Sequence, residues 1–310
     1  VLRIRVLSPP EYSERARRLL LDEPGATHVT VFPGAALRPE GDVIEAVLTR
    51  ECADGLLSAL QDLGLERTGG ITLEHLDTVL SDAADAAEAA VPGDPADAVI
   101  WDELIENTGE ESRLTVSFLA FLTIACVLAA IGAITDSPVT VVGAMVLGPE
   151  FGPLAALAVG VVLRRRDLVR RAGLALGVGF PVAMAITGVA SVLFHLTGLL
   201  DRTTIANIPQ VDFIYEVGPF SLIVALLAGA AGMLSLTSAK SGALVGVFIS
   251  VTTVPAAAFA AVAALEGSWD RAASSAAQLL VNLLGIVAAG AAVLWLSPRR
   301  RKLSARTTTS

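Results

Sequence analysis

The sequence predicts an α+β chain in which a small βαββαβ head precedes a bundle of six apolar helices. Three observations carry that prediction. Apolar residues make up 54% of the 310 residues and charged residues only 17%, with a mean hydropathy of +0.67, well below the roughly 25% charged residues of a soluble domain. Charge is divided unevenly: residues 1 to 112 hold 23 of the 31 acids and 8 of the 22 bases, whereas the remainder is mildly basic. Third, the apolar residues beyond Arg113 fall into runs of about 20, the length that crosses the hydrocarbon core as a helix.

The head comes first. Period-2 and short apolar runs predict strands at Leu2 to Leu7, Thr27 to Pro33, Val43 to Thr49 and Thr72 to Leu80, and helical periodicity predicts helices at Glu11 to Asp22 and Ala53 to Leu63. Pro24-Gly25, Gly64 and Gly69-Gly70 punctuate them. The order βαββαβ is that of the ferredoxin-like split βαβ arrangement, in the size range of small ACT-like regulatory domains. Residues 1–80 form this cytoplasmic domain, read either as an interaction module or as a ligand sensor.

Residues 81–112 follow as an acidic linker and juxtamembrane helix, the Ala, Asp and Glu run ending at Val91-Pro92-Gly93-Asp94-Pro95. From Ala98 to Glu110 an amphipathic pattern places Ile100, Trp101, Leu104 and Ile105 together, with Trp101 either at a membrane interface or packed under the head.

Six spans fill residues 113–298, near Leu114 to Ile134, Val139 to Leu163, Ala172 to Leu199, Pro219 to Leu236, Gly242 to Leu265 and Ala273 to Leu296. Bases concentrate in alternate loops, at Arg113, Arg164 to Arg171, Lys240 and the tail 299–310, which predicts a multi-pass protein of the plasma (inner) membrane with both termini cytoplasmic. No apolar h-region precedes the head, so the first span is expected to be its own insertion signal. Gly173-x-x-x-Gly177 and Gly242-x-x-x-Gly246 allow close helix contact, and with the head's strand edges they predict a homo-oligomer in the lipid bilayer.

The spans carry a weak internal symmetry. Val142-Gly143-Ala144-Met145-Val146 lies on Val245-Gly246-Val247-Phe248-Ile249, and prolines follow in both spans, Pro149 and Pro153 in one and Pro255 in the other. Each removes a backbone donor inside the bilayer, predicting two broken helices and 3+3 inverted repeats, the arrangement that points to a transport site near the midplane. Within Gly148-Pro149-Glu150-Phe151-Gly152-Pro153, Glu150 falls halfway along its span. An ionised side chain there costs roughly 2.5 to 3.5 kcal/mol, so Glu150 should pair, face a cavity or hold a proton; it either serves transport or satisfies the amides of its own broken helix. Thr252 and Thr253 line a pathway or bond back to their own helix. Asn282 and Gln278, one turn apart, point into the bundle. Asp136, beside Thr135 and Ser137, caps the second span or admits ions.

These residues exclude several classes of function. No Ser/His, paired-Asp or His-Glu-x-x-His set is present, so no enzyme is expected. No disulfide framework, Cys/His metal cluster or cofactor motif is expected, with cysteines only at Cys52 and Cys126. The acidic head repels nucleic acid.

Thr135-Asp136-Ser137-Pro138, the run from Val142 to Pro153, Leu227-Ala228-Gly229-Ala230-Ala231-Gly232 and Leu279-Leu280-Val281-Asn282-Leu283-Leu284-Gly285 resemble the bacterial hydrophobic membrane proteins grouped as domain of unknown function 389. Relatives carry Ala-Pro and an apolar residue where this chain has Gly148-Pro149 and Glu150. The resemblance implies the membrane architecture and no substrate. The leading expectation is a transporter or channel for a small solute or ion, regulated by the head; the alternative is a membrane-anchored sensor or scaffold without transport.

Overall fold

A computed structural model describes residues 1–94, 98–198, 219–238 and 245–297. The expected loop Asp201 to Glu216, Lys240, Gly242 and the basic tail lie outside the described residues, as does the side chain of Thr252. The chain divides into two compact units, one spanning residues 1–103 and the other beginning at Leu104.

In the first unit, β1 (Leu2–Ser8), α1 (Pro10–Leu21), β2 (Ala26–Leu37), β3 (Glu40–Leu48), α2 (Arg50–Asp62), the single turn α3 (Leu65–Thr68) and β4 (Gly70–His75) follow one another. The strands form one sheet of order β2-β3-β1-β4 with every neighbouring pair antiparallel. Alternation decides the buried face. Leu2, Ile4 and Val6 of β1 and Ile44, Ala46 and Leu48 of β3 are all buried, and Ala16 and Leu20 of α1 with Ala53, Leu56 and Leu60 of α2 complete that core. The opposite face carries charge, with Arg5 Nε donating to Glu45 Oε1 at 2.6 Å. Gly69 marks the tightest turn, since a Cβ there would stand 1.9 Å from the Leu7 carbonyl oxygen.

Two expectations for this region are corrected, and an alternative left open at Trp101 is decided. The last strand stops at His75, and Leu80 is almost fully exposed. The run taken as linker contains a helix, α4 (Asp82–Ala90). Ser81 caps it, accepting from the Ala84 N–H at 3.4 Å, and Asp82 and Asp85 sit in its first turn where the helix dipole favours acids. Alanine supplies the helix propensity there. Trp101, at the start of α5 (Trp101–Glu111), is buried, its backbone N–H donating to Asp54 Oδ1 at 3.2 Å, so it packs inside protein rather than at an interface.

The second unit is helical: α6 (Val116–Ile134), α7 (Pro138–Val146), α8 (Phe151–Val162), α9 (Arg166–Leu196), α10 (Pro219–Thr237), α11 (Val245–Leu265) and α12 (Trp269–Leu296). Among the described residues four helices, α6, α9, α10 and α12, are long and apolar enough to cross a membrane, and α7 with α8, bent by 52°, makes a fifth as one broken span. The remaining expected span coincides with α11, whose stretch Thr253–Leu265 is apolar. The chain is therefore built as a multi-pass membrane protein.

Small residues hold this bundle together. Ala125, Ala129, Ala256, Ala257 and Ala263 lie in its buried core, and a Cβ on Gly229 of α10 would stand 2.4 Å from the Ile286 carbonyl oxygen of α12. Such backbone approach suits helices that gain little from hydrophobic exclusion in lipid. Gly173 and Gly177 contribute nothing to it; their Cβ positions on α9 meet open space within the chain.

A fixed interval runs through the helices. The 103 residues that separate Glu150 from Thr253 also separate the end of α6 from that of α10, the end of α8 from that of α11, and the start of α9 from that of α12. The turn between α8 and α9 recurs bond for bond. Leu163 N–H to Val159 O, Arg164 N–H to Val161 O and Arg165 N–H to Gly160 O reappear as Glu266 to Val262, Gly267 to Ala264 and Ser268 to Ala263. Arg164 and Gly267, the matching residues, both take positive φ, +55° and +77°.

The end of α8 lies by the start of α9, where Gly160 packs on Leu168 and Val169, whereas the end of α11 lies by the far end of α9, where Leu265 meets Gly188.

Candidate functional site

The site forms where α7 stops. Its last turn closes with the Leu147 N–H on Ala144 O at 3.1 Å and the Gly148 N–H on Met145 O at 3.4 Å; Pro149 then has no N–H to continue the ladder. The helix resumes at Phe151 as α8, its first backbone bond running from Leu154 N–H to Glu150 O at 3.1 Å. Pro153 sits in the first turn of α8, where no intrahelical donor is needed, so it interrupts nothing. Pro255 also fails to break its helix, lying inside the uninterrupted α11. Among the described residues, only one of the two expected breaks is present.

Glu150 is completely buried at the N-terminal boundary of α8. Its side chain makes no capping bond to that helix. Instead Thr253 Oγ1 of α11, itself fully buried, donates to Glu150 Oε1 at 2.6 Å. Thr253 thus reaches across the bundle to Glu150. The carboxylate is held from two elements that the sequence places 103 residues apart.

A second polar cluster joins α10 and α12. Ser221 Oγ donates to Asn282 Oδ1 at 3.1 Å, and Gln278 Nε2 donates to Ser221 Oγ. Asn282 and Gln278 are buried on one face of α12, as their spacing predicts. Asp136 belongs to neither cluster. It is exposed in the turn between α6 and α7 with φ +49°, where Ser137 supplies the cap, accepting from the Thr140 N–H at 3.4 Å.

Gly148, Pro149, Phe151 and Gly152 open onto a pocket of about 370 Å³, whose other walls are Glu110 and Glu111 at the end of α5, Arg113 just beyond it, and Thr115, Phe118 and Phe121 at the start of α6. The break thus shares this pocket with the first turns of α6. Gly152 packs on Glu111 at one end of α8, and near the other Gly160 packs on Leu168, the residue that also meets Gly109. Burial pushes the Glu111 carboxyl above the ordinary glutamate range.

Glu110 and Glu111 escaped the sequence reading because their placement over Gly148 to Gly152 depends on the bend. Arg50 and Glu51, both buried in the head, were missed for a simpler reason: charged residues are seldom buried. Arg50 Nη2 donates to the Ala98 carbonyl at 3.3 Å, a contact across 48 residues of chain that has no local signal. Among the described residues no three His, Cys, Asp or Glu side chains come together as metal ligands.

An uncharacterized protein of Methanocaldococcus jannaschii is 24% identical to this chain over 188 residues, which cover 61% of this chain and 56% of that protein. The chain thus spans little more than half the length of the relative it matches. No solved structure matches it. Residues 145–288, from within α7 through most of α12 and including Glu150, Thr253 and Asn282, match the model of the family described as domain of unknown function 389, so this part of the chain is similar to that family.

Proposed function

We propose that this chain carries a small solute or ion across the plasma membrane through two inverted repeats of three spans each, which meet at Glu150 and Thr253. In this reading α11 is the sixth span, both termini are cytoplasmic, and the chain performs no chemistry on what it carries. The alternate basic loops support the orientation. The recurrence of helix bounds and turn hydrogen bonds at one interval, with the end of α8 by the start of α9 and the end of α11 by its far end, supports the inverted repeat. The first unit is a ferredoxin-like regulatory head, a reading supported by its antiparallel order β2-β3-β1-β4. The open face of α9 around Gly173 and Gly177 supports a homo-oligomer.

One observation carries the functional reading. A carboxylate is costly inside a bundle of apolar helices and marks a pathway by default, and here it sits at the sole break of a span among the described helices, beside an open pocket. Glu150 accepts from the residue that occupies its own position in the other repeat, so the site lies where the two repeats meet. Contact between equivalent residues is what a local two-fold relation requires.

The test is charge movement in proteoliposomes holding the purified chain, screened over ions, amino acids and nucleosides, with Glu150→Gln in parallel. A current present in the parent and lost in the variant is the expected result. Silence across the screen from folded protein removes transport and returns the head to the position of sensor.

A further inference from the structure

The repeat makes each feature of one half a statement about the other, and the two halves differ at the pocket. In the first copy the span is broken and bent by 52°, and Phe118, Phe121, Phe151 and Gly152 line an open pocket. One interval later stand Ser221 and Val224 on α10 and Val254 and Pro255, both buried, within an unbroken α11. Pro255 already lacks the N–H that a straight helix would use, so α11 carries a hinge it does not use in this state.

We infer that the chain has a second state, in which α11 bends at Pro255, the first-copy pocket closes, and an equivalent pocket lined by Ser221, Val254 and Pro255 opens toward the opposite face of the membrane. This rests on the transport reading and supplies its gating. Inverted repeats that exchange conformations give alternating access with the site held fixed between them, and Glu150 with Thr253 is that fixed point. The closed half has a latch. Ser221, held by Gln278 and Asn282, matches Phe118, which merely packs against Gly179, the counterpart of Asn282. The same contact is polar where the pocket is shut and apolar where it is open.

The experiment uses the full-length protein in sided membrane vesicles, with Cys52 and Cys126 retained because both are buried and the parent as labelling control. Phe151→Cys and Val254→Cys are treated with a membrane-impermeant maleimide from each face. The expected result is labelling from opposite faces, rapid at 151 and slow at 254, with Gln278→Ala raising the rate at 254 severalfold. Labelling of both from one face overturns the inference, as does protection of 254 from both faces in the Gln278→Ala background. Hydrogen exchange on the unsubstituted chain gives a second reading without a variant: amides 256 to 259 exchange faster than the middle of α12, and equal protection refutes the hinge. Charge movement that persists while 254 stays shut removes the exchange and leaves transport standing, whereas opposite-face labelling without current in any solute keeps the exchange and removes transport.

Discussion

Replacing Thr253 by Val removes one hydroxyl and almost no volume. The hydroxyl donates to Glu150 Oε1 at 2.6 Å, and both residues are fully buried, so water cannot substitute for it. Two magnitudes compete. Side-chain hydrogen bonds between membrane helices average about 0.6 kcal/mol, with a maximum near 1.7, whereas a bond to a charged group is worth about 1.5–3 kcal/mol. The two ranges meet near 1.5 kcal/mol, so Thr253→Val should destabilise by about 1.5 kcal/mol, roughly a tenfold shift in the unfolding equilibrium. Thr253→Ser keeps the hydroxyl and should recover most of that loss. Reversible unfolding in mixed micelles reads both, and the cycle with Glu150→Gln isolates the pair. A coupling energy below about 0.3 kcal/mol, with the serine variant no better than valine, would refute the claim that this bond joins the repeats.

Other substitutions test the packing and the pocket. Gly229→Ala forces a methyl to within 2.4 Å of the Ile286 carbonyl oxygen and should cost about 1–3 kcal/mol by overpacking, measured in the same unfolding assay. Gly177→Ala meets nothing within its own chain and should stabilise the monomer by up to about 1 kcal/mol through helix propensity; a drop in oligomer content on size-exclusion chromatography would locate a subunit contact there. Glu111 has its pKa raised by burial, so the folded state binds its proton more tightly than the unfolded chain. Its contribution to stability is complete below the unfolded pKa and fades as pH rises through the folded one. Glu111→Gln should therefore flatten the melting temperature between pH 4 and 8, and an unchanged slope would contradict the burial of that carboxyl.

Much of the fold was legible because period and punctuation are local. The alternation of Leu2, Ile4 and Val6 identified a half-buried strand, Gly64 ended α2, and apolar runs marked the spans. Alanine misled at α4, where a sequence of Ala, Asp and Glu looks like a solvated tether unless Ser81 is read as its cap. At the site, Glu150 and the break at Pro149 were visible from one improbable carboxylate and one missing donor. The interval between Val142 and Val245 was visible too, and it alone aligns Glu150 with Thr253. What stayed hidden was three-dimensional. Two prolines with equal chemistry behave differently, Pro149 ending a helix and Pro255 riding within one, because neighbouring helices decide whether a lost hydrogen bond is opened or absorbed. The lid of acidic residues over Gly152 follows only from the bend that brings Glu111 there.

The central claim is that two copies of one three-span unit face each other upside down around Glu150 and Thr253. Sidedness at the start of each copy tests it most directly. Leu114 and Phe220, both exposed just before or within the first turns of α6 and α10, are replaced one at a time by cysteine and labelled with an impermeant reagent in sealed vesicles. The account predicts that Leu114→Cys reacts from the cytoplasmic face and Phe220→Cys from the opposite one. Reaction of both from the same face would contradict the inversion and, with it, the site between the repeats.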